Sequence, residues 1–68
     1  MRQVVIYPGE DGLWVAECPS LAGCITQGGT REEAIANARE AVAAYVAALE
    51  QDGLPVPPEH FNTLLVAV

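Results

Sequence analysis

Catalysis requires a nucleophile, a proton-transfer group, a metal site or a cofactor cradle, and a chain of 68 residues offers few candidates for any of them. His60 is the only histidine, and it stands beside a proline-rich stretch with no second histidine or cysteine at ligand spacing. An isolated imidazole of this kind is expected at the surface or partly packed, without a catalytic role. Cys18 and Cys24 form a Cys-x5-Cys pair with no other soft ligand nearby, which is not a zinc signature, and small buried thiols are the simpler expectation. Gly28 and Gly29 precede a helix start, where backbone amides can receive an anion. The run nevertheless lacks both GxGxxG and the lysine of a phosphate-binding loop. Asp11, Glu17 and Glu33 are the acids that could share divalent metals. Two-metal chemistry needs carboxylates converging on ions about 4 Å apart, and Asp11 (turn) and Glu33 (helix cap) already have structural roles. No catalytic, cofactor-binding or metal-ligating residue is assigned, and a metal-dependent nuclease is the least favoured reading.

Charge narrows the partners. Nine acidic against three basic side chains, with no lysine, give a formal net charge of −6. Phosphate contacts come mainly from Lys and Arg, so direct nucleic-acid binding is not expected. An acidic surface favours encounter with a basic protein. Apolar residues make up 51% of the chain, yet no run approaches the roughly 20 residues that span a bilayer. The apolar stretch at residues 4–7 is too short for a secretory leader, which makes the cytoplasm the expected compartment and reduced cysteines the expected state. One domain over residues 1–68 is the expectation, and a core this small makes homo-oligomerisation reasonable.

The elements that would position these residues are legible in turn and cap signals. Residues 2–7 are β-branched and read as a strand, and Pro8-Gly9-Glu10-Asp11-Gly12 as the hairpin loop that follows. A second strand at residues 13–18 alternates Trp14, Ala16 and Cys18 on one face with Leu13, Val15 and Glu17 on the other. The turn at residues 19–23 separates it from a short third strand at 24–27. Thr30-Arg31-Glu32-Glu33 is a capping box, predicting Glu33 amide to Thr30 hydroxyl and Glu33 carboxylate to Thr30 amide. A helix should run from there to about Asp52, with Ile35, Ala38, Val42, Tyr45, Val46 and Leu49 as its buried stripe and Gly53 as its stop. Prolines 55, 57 and 58 make an extended connector, and residues 63–68 read as a last strand. The predicted fold is α+β, of order β-β-β-α-β, an antiparallel sheet with one helix packed on a face.

The run from Asp11-Gly12 through Pro19-Ser20-Leu21-Ala22-Gly23-Cys24 to Gly28-Gly29-Thr30-Arg31-Glu32-Glu33-Ala34, closed by Gly53-Leu54-Pro55, resembles the HicB antitoxin family over nearly the whole chain. The resemblance implies a partial ribonuclease H-like fold without the full catalytic set. It also implies a non-enzymatic role: covering the active site of a small basic HicA-type toxin that cleaves messenger RNA. Many members carry a further C-terminal DNA-binding segment, and this sequence has the short form. Trp14, Pro19, Leu21, Pro55 and Pro57 are the candidate partner-binding residues, as rigid apolar contact points. The alternative is a stand-alone homo-oligomer with a regulatory or structural role and no toxin.

Overall fold

The turn chemistry sets where each strand stops. In the computed structural model, which describes residues 1–60 and 63–68, β1 (Val5–Pro8), β2 (Trp14–Glu17) and β3 (Ile25–Gly28) precede a single helix, α1 (Arg31–Gln51). The strands form one antiparallel sheet in the order β1-β2-β3. The expected α+β meander with a helix on one face is therefore what the chain adopts.

Between β1 and β2 a 3-10 turn over Glu10–Gly12 reverses the chain, with Asp11 and Gly12 at φ of 61° and 74°. Aspartate and glycine are among the residues that tolerate this left-handed region, which is why Asp-Gly marks the loop. The loop closes on a hydrogen bond from the Gly9 amide to the Leu13 carbonyl (2.7 Å). The register places Pro8 opposite Trp14 and Val5 opposite Glu17. From β2 to β3 the chain turns through residues 18–24, tied by the Cys18 amide to the Cys24 carbonyl (3.0 Å).

Helix α1 begins as its capping residues dictate, with one difference. The Glu33 amide donates to Thr30 Oγ1 (3.0 Å), but Glu33 Oε1 accepts from the Gly29 amide (3.1 Å), one residue earlier than the box predicts. Either way a free amide at the helix start finds a carboxylate. At the other end the Leu54 amide donates to Leu49 and the Gly53 amide to Glu50, with Gly53 at φ 68°. This Schellman pairing needs a left-handed residue, and glycine takes it without a Cβ penalty.

The core lies between sheet and helix. Ala16, Ala34 and Ala38 form one buried cluster, against which Val4, Ile6 and Trp14 pack. Cys18, Leu21 and Cys24 form the other, under Val42, Tyr45 and Val46. The buried stripe of α1 differs from the expected one: Ala34 is fully buried, whereas Ile35 lies at the exposed margin. Gly28 explains the rotation. A Cβ there would stand 2.5 Å from the Ala34 nitrogen, so β3 approaches the helix backbone too closely for a large side chain on that line.

Two expected strand limits are corrected. Arg2 lies outside β1, which starts at Val5, and residues 63–68 form no strand. A strand needs a hydrogen-bonded neighbour as well as β-branched residues, and within one chain this segment has found none: all six of its residues are exposed.

Candidate protein-interaction site

The expected contact residues fall at two ends of the sheet. At the end formed by the 18–24 turn, Arg2 acts as a clasp: Nη1 donates to Ser20 Oγ (3.0 Å) and Nη2 to the Pro57 carbonyl. One guanidinium thus joins the turn that carries Pro19 to the connector that carries Pro55 and Pro57. Pro19 and Pro55 are exposed there and Pro57 is half-buried. Leu21 is 1% exposed and is the largest fully buried side chain, so in this chain it serves the core and presents no contact surface. The Gln3 amide donates to Glu59 Oε2 beside the clasp. That backbone hydrogen bond is the main reason the Glu59 carboxyl is held below its ordinary range.

Trp14 lies at the opposite end of β2, about 13 Å from Cys18 at the ordinary rise of a strand. It is half-buried against the alanine cluster, and the Arg31 guanidinium sits 5.9 Å from its ring centroid, within cation–π range. The five expected residues therefore do not make one patch. Through Arg2, Pro57 is linked to Ser20, next to Pro19; Trp14 is separate; Leu21 is inside.

A broader surface escaped the sequence reading. Because α1 covers only the Trp14–Ala16–Cys18 side, the other face of the sheet is bare. Cross-strand rows Tyr7–Val15–Gln27 and Val5–Glu17–Ile25 run across it. Tyr7 and Ile25 are exposed, and Val5 and Val15 are half-buried, so one acid stands among four apolar side chains. The alternation of β2 was the available signal, since Leu13 and Val15 are apolar on the side away from the helix.

The residues that could carry chemistry are dispersed. Among the described residues no group of three or more His, Cys, Asp or Glu side chains could hold a metal ion. Asp11 is in the hairpin loop, Glu17 on the bare face and Glu33 at the helix cap. Burial, assisted by the neighbouring Cys18, pushes the Cys24 thiol up, which disfavours the nucleophilic thiolate. Both cysteines are free. Among the described residues no helix is long and apolar enough to cross a membrane. An apolar face with a single acid among its side chains, on a hydrogen-bonded sheet, is suited to contact with another macromolecule.

Comparison with known proteins agrees with that reading. The family model described as HicB-like antitoxin of bacterial toxin-antitoxin system matches residues 3–66. A UPF0150 protein of Thermoplasma acidophilum is 38% identical over 63 residues, covering 93% of this chain and 91% of the relative. UPF0150 proteins of Synechocystis (49% over 49 residues, 72% of this chain and 62% of the relative) and Helicobacter pylori (44% over 50 residues, 74% and 68%) are also similar. No solved structure matches. On the breadth of the family match and the likeness to these relatives, the chain belongs to the HicB-like antitoxins of bacterial toxin-antitoxin systems.

Proposed function

We propose that this chain is a single-domain antitoxin, residues 1–68, that binds a small basic HicA-type toxin in the cytoplasm and silences its messenger-RNA cleavage by covering the active site. The observation that carries the reading is the family match over residues 3–66. The charge supports it: a toxin that grips RNA presents cations for phosphates, and a partner of net charge −6 competes for that surface. The same charge argues against direct binding of nucleic acid by this chain.

The bare sheet face supplies the contact area, with Tyr7, Val15 and Ile25 as apolar anchors and Glu17 as the acid among them. Pro19, Pro55 and Pro57 at one end of the sheet, and Trp14 at the other end on its helix-covered side, add rigid apolar contact points. On the family resemblance, which implies a partial ribonuclease H-like layer without the full catalytic set, inhibition in this reading proceeds by occupancy. Tagged chain is used to capture partners from native lysate at low and moderate salt. The expected result is a small basic protein that cleaves RNA alone and stops when this chain is added back. A captured ribonuclease that keeps its activity in the complex rejects the mechanism.

A further inference from the structure

Between β1 and α1 runs an apolar groove of about 570 Å³, lined chiefly by Val4, Ile6, Ile35, Ala38 and Val42. In the sheet order β1-β2-β3 the outer edge of β1 is unpaired among the described residues. Val4 and Ile6 face the helix side, where they pack on the alanine cluster. One more strand beside β1 would take up its free amides and carbonyls and lay every second side chain into this groove. The chain carries a segment of that character. Residues 63–68 are uncharged and mostly branched, and Leu64, Leu65 and Val66 are 80%, 95% and 72% exposed. A groove without an occupant and a strand-like segment without a neighbour occur in the same molecule.

We propose that residues 63–68 of a second copy pair with the free edge of β1 and set Leu64, Val66 and Val68 into the groove, reciprocally, so that two copies form a two-fold dimer. Each copy has both halves of the contact, which makes the interface self-complementary. The stem of the segment is already placed. The Pro57 carbonyl on Arg2 and the Glu59 carboxylate on the Gln3 amide hold the connector beside the approach to β1, and the segment then leaves the body without packing on it. Arg2 and Arg39 border the groove while its remaining lining is apolar, which suits an uncharged, branched segment as occupant. The dimer goes beyond the antitoxin reading and does not depend on it.

Sedimentation equilibrium of the full chain tests the inference, with the wild type compared with Leu64→Asp/Val66→Asp in the segment and Ile35→Glu/Ala43→Glu in the groove. The groove substitutions fall at exposed helix positions where glutamate is a good helix former, so the fold is kept. A dimeric wild type whose dissociation constant rises about a hundredfold or more in each variant is expected, because the segment variant replaces two branched side chains of each contact by carboxylates and the groove variant sets two carboxylates in the apolar lining that would receive them. Mixing the two variants restores a heterodimer through the one intact contact. A monomeric wild type overturns the proposal, including one whose segment lies in its own groove. A dimer that the segment variant leaves unchanged, or variants that fail to complement, overturns it equally.

Discussion

Helix α1 meets the two edges of the sheet differently. Over β3 it is so close that Gly28 has no room for a Cβ beside Ala34, and Asn37 Nδ2 donates to the Gln27 carbonyl at 2.7 Å. Over β1 it stands off and leaves the groove between Ile6 and Val42. The closed side is held by contacts between segments adjacent in the chain, β3, its two glycines and the first turns of α1. The open side would have to be closed by something far away in sequence. Proximity along the chain lowers the entropy of closing the contact, so the β3 side can be specified by short motifs and the β1 side cannot.

Three measurements break or sharpen that contrast. The largest effect belongs to Gly28→Ala, whose added methyl meets backbone atoms of Glu33 and Ala34 that have no rotamer to yield. A loss of about 2–3 kcal/mol in urea unfolding is expected; a loss below about 0.5 kcal/mol, the scale of an ordinary surface change, would show that the helix can step back freely. Next comes Thr30→Ala, which removes the acceptor for the Glu33 amide and should cost about 1 kcal/mol in the same assay, with Thr30→Ser recovering most of it. The smallest belongs to the open side. Glu59 has its carboxyl lowered in the folded chain by the Gln3 amide. Its stabilising contribution is therefore complete above the ordinary value of 4.5 and disappears as pH falls through the lower folded value. Acid titration of the wild type should show a small loss of stability in that window that Glu59→Gln lacks, and identical acid profiles would remove the tether from the account.

The same contrast explains how much was legible. The Asp11-Gly12 loop, the Thr30 cap and the Gly53 stop were readable because each depends on the backbone preferences of two to four neighbouring residues. The helix side of β2 was readable from alternation. The exact buried line of α1 was not. Periodicity put Ile35 on it, while the approach at Gly28, a tertiary fact, turned Ala34 inward and moved Ile35 to the groove margin. Leu21 was read as a surface contact because a turn between two prolific turn-formers, Pro19 and Gly23, looks solvated, yet Leu21 folds under Val42 and Val46. Arg2 gave no local sign of its role, since its partners lie 18 and 55 residues away. Residues 63–68 have the composition of a strand, but composition cannot supply the neighbour a strand requires.

Trp14 is the only tryptophan of the chain, and it sits where β2, the alanine cluster and the first residue of α1 meet, with the Arg31 guanidinium over its ring. The indole is therefore a built-in optical probe of whether the helix is seated on the sheet. Its emission will shift to the red when α1 lifts away, at either edge, while events confined to the 63–68 segment leave the spectrum unmoved, so one fluorescence trace separates unfolding of the body from rearrangement of the tail.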